Sequence, residues 1–163
     1  MKAHFERLAH YNRWANRRLY GAAAALPDDR FREDRGAFFG SLCGTLNHLL
    51  VADRVWLDRF EGRGPAPVAL DAILHERFDA LREARAAEDE RLLRVVSALE
   101  EERLDRPFAY RNLKGEAVEL PFAPVLVHVF NHQTHHRGQA HTLLSQFGLA
   151  APPLDFLYFL QDR

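Results

Sequence analysis

Four histidines crowd into nine residues of this chain, at His128, His132, His135 and His136. An α-helix advances about 100° per residue, so the direction of each side chain follows from its position. His136 lies about 20° and His132 about 60° from the centre of the surrounding apolar stripe. His128 and His135 lie roughly 100–120° from that centre. Only His132 and His136 are therefore predicted to point into the protein.

His132 and His136 are suitably placed to hold one ion together. They are four residues apart, which places their Cβ atoms about 5–6 Å apart on one helical face. A third candidate is His48, about 70° from the inward centre of a different predicted helix. Three neutral imidazoles with an open fourth position are typical of a catalytic zinc site. The residues predict a mononuclear metal site, and buried hydrogen-bonded histidines are the alternative that the pattern alone leaves open.

The neighbouring residues narrow the chemistry further. Asp53 falls on the inward half of the helix that carries His48, which makes it a candidate general base or orienting residue. Position 133 is glutamine, so the pair lacks the glutamate of a HExxH metalloprotease, and no Glu-x-x-His di-iron motif occurs at the inward histidines. Cys43 is the single cysteine, so a multi-thiolate zinc cluster is excluded. The helical angle of Cys43 predicts that its side chain lies on the outward side of the helix.

Hydrophobic periodicity predicts four long helices that position these histidines. They span residues 3–25, from the capping residue Ser41 to about Glu61, 69–100, and from about Pro121 to Phe147, where Gly148 ends the last one. Alternating residues between Pro107 and Pro121 predict a β-hairpin, and a short closing helix is expected from Asp155 to Gln161. The predicted fold class is all-α, a four-helix bundle with a hairpin before its last long helix, in one domain over residues 1–163.

Composition excludes several classes of partner. The formal net charge is −1, so no basic field exists to bind nucleic acid or an anionic membrane. No apolar run approaches the roughly 20 residues of a membrane-spanning helix, and the charged start lacks the apolar core of a signal peptide. A cytoplasmic location is therefore expected. Trp14 lies about 120° from the inward stripe of the first helix, which predicts an exposed dimer contact.

The segment FNHQTHHRGQA, from Phe130 to Ala140, closely resembles the DinB-like family of metal-binding bacterial bundles, which is named for a DNA-damage-inducible protein. The likeness extends to YNRWAN in the first helix, LNHLLVAD in the second and the Leu154-Asp155 end. The resemblance implies an up-down-down-up bundle, a frequent homodimer, and a metal ion held by His48, His132 and His136. Relatives often have Ala-Glu where this chain has Ala52-Asp53, a shorter carboxylate.

Three functions follow from the residues and the resemblance together. Some relatives use the metal to activate a low-molecular-weight thiol, so the first hypothesis is an S-transferase that joins a small thiol to an electrophile. The second is a metal-dependent hydrolase with Asp53 as base, and the third is a non-enzymatic stress-related protein stabilised by its ion. Zinc or nickel is the predicted ion, with iron, copper or manganese as alternatives. Because no fourth protein ligand is apparent, chemistry is favoured over a structural site.

Overall fold

A computed structural model describes residues 1–64 and 69–162 of the chain. Its helices are α1 (Lys2–Ala23), α2 (Asp28–Arg32), α3 (Leu42–Phe60), α4 (Phe78–Ser97), α5 (Phe122–Gln146) and α6 (Phe156–Gln161). Strands β1 (Pro107–Arg111) and β2 (Ala117–Pro121) form an antiparallel hairpin. This confirms the predicted helical class and the hairpin before the last long helix. No helix in the described part of the chain is long and apolar enough to cross a membrane.

Two apolar clusters at opposite ends of the bundle show how the helices run. The first joins the C-terminal halves of α1 and α5 to the N-terminal halves of α3 and α4, through Leu19, Leu143, Leu46 and Leu81. The second joins the other halves, through Phe5, Leu126, Leu57 and Leu92. Helices α1 and α5 therefore run in one direction and α3 and α4 in the other. This is the up-down-down-up order that the resemblance implied.

The prediction for the third long helix is wrong at its start, because α4 begins at Phe78 and not at residue 69. Helices α3 and α4 run in the same direction, so the connection between them must return along the length of the bundle. Leu70 and Ile73 lie within the predicted helix, but in the structure they precede α4 and are 42% and 48% exposed. Asn47 fastens the returning chain, since its Oδ1 accepts hydrogen bonds from two consecutive backbone amides at 2.9 and 3.0 Å.

Most other element ends follow the local chemistry that the sequence predicts. The Ser41 hydroxyl caps α3 by accepting the Gly44 amide at 3.0 Å, and Gly148 ends α5 with a φ of 75°. The segment between α1 and α3 lies outside the predicted helices, but it contains the short helix α2. Phe31 of α2 is completely buried in the first apolar cluster, which explains why this short segment is helical and docked.

Trp14 is half-buried, and α6 covers it. The indole N–H donates to the Asp162 carboxylate at 2.6 Å, and the Phe159 ring lies 5.9 Å away. The aromatic residue that was to mark a dimer contact thus has partners within its own chain. Trp14 therefore gives no support to a dimer, and the homodimer stays a prediction that light scattering can test.

A layer of buried polar side chains, called the polar layer below, separates the two apolar clusters. Every long helix contributes to it. Its members are Asn12 and Asn16 of α1, Asp53 of α3, Arg85 and Asp89 of α4, and Gln133 and Arg137 of α5. Gln133 follows His132 directly, so the predicted metal site lies at the level of this layer, between α3 and α5.

Candidate metal centre

The structure brings the three predicted histidines together through their Nε2 atoms. His48 Nε2 lies 3.1 Å from His132 Nε2 and 3.2 Å from His136 Nε2. In a tetrahedral zinc site with metal–nitrogen distances of about 2.0–2.1 Å, two ligand nitrogens are separated by roughly 3.3 Å. The donor set therefore has the spacing that one small divalent ion needs. No other histidine, cysteine or carboxylate of the described residues joins the group.

The outer nitrogen of two of these rings is fixed by an oxygen atom. His48 Nδ1 lies 2.8 Å from the backbone carbonyl oxygen of Leu70, and His136 Nδ1 lies 2.8 Å from Gln139 Oε1. A carbonyl oxygen can only accept, so each Nδ1 carries the hydrogen and each Nε2 presents a lone pair. Lone pairs facing each other at 3.2 Å repel unless a cation lies between them. The arrangement is the one by which proteins commonly orient metal-binding histidines.

All three imidazoles are held in the neutral form. Burial, and after it the neighbouring imidazoles, together lower the pKa of His132 to about 3. Burial also lowers the pKa of His48 and His136, although their hydrogen bonds to Leu70 and Gln139 act in the opposite sense. Only neutral imidazole can ligate a metal ion, so the site favours the binding form.

Aromatic groups flank the centre on two sides. The Phe39 ring stacks on His48 with centroids 3.9 Å apart and meets His136 edge-on at 5.5 Å. On the other side, the exposed His128 ring lies 5.8 Å from His132. His128 and His135 are exposed and lie outside the ligand group, as the helical angles predicted.

Two other residues occupy places that the sequence did not predict. Cys43 is buried and not on the outward side, with its sulfur 3.8 Å from the His75 carbonyl oxygen, so it is separate from the ligand group. Asp53 accepts a hydrogen bond from Gln133 and lies 2.8 Å from Arg85 Nη1. No hydrogen bond among the described residues joins Asp53 to a histidine. Its carboxylate belongs to the polar layer.

Three contributors to the site were missed at the level of sequence. Gln139 could have been found, because it lies three residues after His136 and so on the same helical face. The Leu70 carbonyl gives no signal in the sequence, since any residue supplies the same backbone oxygen. Phe39 lies in the connection before α3, and its contact with His48 depends on how that connection folds back.

Comparison with known proteins agrees with this description. A sequence model of the DinB family matches residues 1–163. The chain is 29% identical over 161 residues to Protein DinB of Bacillus subtilis (strain 168), covering 94% of this chain and 92% of that protein. It is similar in fold to the crystal structure of a DinB-like protein from Bacillus cereus ATCC 10987, with a TM-score of 0.65 and 18% identity over 85% of this chain and 89% of that one. With a family match over its whole length, this chain belongs to the DinB family.

Proposed function

We propose that the protein is a metal-dependent S-transferase that joins a low-molecular-weight thiol to an electrophile. The observation that carries the proposal is a group of three histidines whose Nε2 atoms converge, with no fourth protein ligand among the described residues. Structural zinc sites usually close with four protein ligands, whereas catalytic sites keep one position open. Zinc and nickel both suit three imidazoles, and we propose one such ion per chain.

The chain's own residues have simple roles in this reaction. His48, His132 and His136 hold the ion, and Leu70 and Gln139 orient two of those rings. When bound, a divalent ion supplies a positive charge that lowers the pKa of a thiol brought to the open side. The thiol sulfur then forms a bond to the electrophilic carbon while the bond to the leaving group breaks. The thiol proton passes to solvent, and the leaving group departs with the bonding electron pair.

The position of Asp53 favours transfer over hydrolysis. A hydrolase benefits from a general base beside the attacking water. Here the nearest predicted base is buried against Arg85 and Gln133 in the polar layer. A thiol, by contrast, needs only a lowered pKa to become a nucleophile. The donor set supports both reactions, and the missing base distinguishes them.

The first experiment measures metal content and then activity. Elemental analysis of the purified protein should find one zinc or nickel ion per chain. The loaded protein is then assayed with a panel of small thiols and chlorodinitrobenzene as the electrophile. We expect a rate above the uncatalysed background that disappears with chelator and in His132→Ala, and persists in the matched variant His135→Ala.

Two results would contradict the proposal. Stoichiometric binding without any rate above background, together with a chelator-sensitive melting temperature, would indicate an ion that only stabilises the bundle. Ester or amide hydrolysis by the loaded protein, in the absence of thiol, would favour the hydrolase hypothesis.

A further inference from the structure

A second feature lies on the same face of α3 and α5 as the histidine centre. Along α5, Pro124, His128, His132 and His136 follow at intervals of four residues, which places them in one row. Along α3, Trp56 lies two such intervals after His48. This row of side chains leads from the histidine centre toward the hairpin, and His132 and Pro124 are about 12 Å apart along the helix axis at 1.5 Å per residue.

At the hairpin end of this row lies a cleft of about 270 Å³, called the aromatic cleft below. Helices α3 and α5 and the hairpin each supply part of it, and its lining residues are Trp56, Tyr110, Leu120, Pro121, Pro124, Val125 and His128. None of these is an acid, a lysine or an arginine. A lining without charge predicts an apolar ligand.

Aromatic rings form the wall nearest to the histidine centre. The Trp56 and His128 rings meet edge-on with centroids 5.3 Å apart, and Trp56 meets Tyr110 edge-on at the same distance. Arg59 stacks against this wall, 4.6 Å from the Trp56 ring and 4.7 Å from the Tyr110 ring. These contacts fix the ring orientations, so the wall is preformed before a ligand arrives.

Part of this apolar surface is open to solvent. Leu120 is 44% exposed at the mouth of the cleft, and Trp56 and Tyr110 are half-buried. The volume suits one aromatic ring with a short linker and is too small for a protein segment. Because the His128 ring forms one wall and lies 5.8 Å from the His132 ring, such a ligand would extend about one helical turn to reach the histidine centre.

We propose that the aromatic cleft binds an aromatic group of the substrate whose reacting atom lies at the histidine centre. Placement of the reacting atom at the histidine centre rests on the proposed S-transfer. Binding of an aromatic group in the cleft does not, since the cleft can bind such a group with or without metal. The substrate class that it predicts is a small molecule in which an uncharged aromatic ring is joined by a short linker to the reacting sulfur or carbon atom.

The first test uses fluorescence and needs no metal. The chain has two tryptophans, so Trp14→Phe leaves Trp56 as the only reporter and Trp56→Phe leaves Trp14. Each variant is titrated with nitrobenzyl alcohol and with nitropropanol, an aliphatic quencher that carries the same nitro group. We expect saturable quenching only for nitrobenzyl alcohol with the Trp56 reporter. Linear, collisional quenching of both reporters by both compounds would overturn the cleft proposal.

The second test connects the cleft to the histidine centre. Benzyl mercaptan and ethyl mercaptan are titrated into cobalt-loaded protein, and the visible absorption of the ion reports sulfur binding. We expect benzyl mercaptan to bind about tenfold more tightly, and Tyr110→Ala to remove this preference without changing cobalt content. Leu113 is an exposed residue at the turn of the same hairpin. The matched control Leu113→Ala should retain the preference for benzyl mercaptan.

The outcomes separate the two proposals. Equal affinities of the two thiols in the parent protein, or an unchanged preference in Tyr110→Ala, would overturn the connection between cleft and centre. If neither thiol alters the cobalt spectrum while nitrobenzyl alcohol still quenches saturably, the S-transfer proposal fails and an aromatic binding site remains.

Discussion

Two clusters of polar side chains, the polar layer and the histidine centre, lie side by side inside this bundle. They differ in the charges that they contain. The polar layer combines opposite charges, since Arg85 lies 2.8 Å from Asp53 and 3.1 Å from Asp89. The histidine centre instead combines three groups of one kind, whose Nε2 atoms face each other. Within the layer these charges are paired with opposite charges of the chain itself. The centre contains no opposite charge among the described residues, and its three histidines could hold a metal ion.

The directions of the pKa shifts differ between the two clusters in the same way. Burial opposes ionisation of Arg85, but the carboxylates of Asp89 and Asp53 outweigh it and raise the pKa of the guanidinium. At the histidine centre no carboxylate is in contact, and burial drives the imidazoles to the neutral form. The polar layer is therefore predicted to hold the helices in register, while the histidine centre is predicted to bind a metal ion.

The largest effect is expected from breaking the polar layer. Arg85→Met leaves Asp53 and Asp89 buried without their shared cation, and removing one partner from a buried ion group costs about 3–5 kcal/mol. Urea unfolding of the metal-free protein measures this loss. Arg82→Met, one turn earlier on the exposed face of α4, should change the stability by no more than about 0.5 kcal/mol. Equal effects of the two variants would mean that the layer contributes no special stability.

The next effect concerns metal-linked stability. An ion that binds only the folded state adds about 2.7 kcal/mol when its concentration is roughly 100 times the dissociation constant. Chelator should therefore lower the melting temperature of the parent protein, and should leave those of His48→Ala, His132→Ala and His136→Ala unchanged. The exposed-histidine variants His128→Ala and His135→Ala should behave like the parent. Loss of the ion in His135→Ala with retention in His132→Ala would refute the ligand assignment.

Acid should reveal the neutral histidines in the metal-free protein. The folded pKa of His132 is about 3, below the ordinary value of 6.5, so the unfolded state binds more protons as the pH falls below that value. Stability is therefore present above about pH 6.5 and is lost toward lower pH, by an amount of the order of 1 kcal/mol at about pH 5.5. Urea unfolding at several pH values should show a shallower loss in His132→Ala. The same dependence of unfolding free energy on pH in the parent and in His132→Ala would contradict the lowered pKa of His132.

An effect confined to metal affinity is expected at Gln139, which orients His136 without binding the ion. Loss of such an orienting hydrogen bond typically weakens metal affinity by about 10–100-fold. Equilibrium dialysis of Gln139→Leu should show this change while the stability of the metal-free protein stays near the parent value. Gln146→Leu, an exposed residue of the same type at the end of α5, is the control. Parent-like affinity in Gln139→Leu would show that the ring needs no such partner.

The amino-acid sequence by itself determined the features that depend on local geometry. Helical angles selected His48, His132 and His136 and excluded His128 and His135, because the turn per residue fixes direction within one helix. The Ser41 cap, the Gly148 end and the hairpin before α5 follow from similar short-range rules.

Tertiary structure decided the features that depend on neighbours distant in the chain. The parallel course of α3 and α4 set the start of α4 and carried the Leu70 carbonyl to His48. Docking of α6 covered Trp14, and the ion pair with Arg85 drew Asp53 into the polar layer. Hydrophobic periodicity shows that a side chain points inward, but not which partner it meets there. That partner is set by how the helices pack against each other.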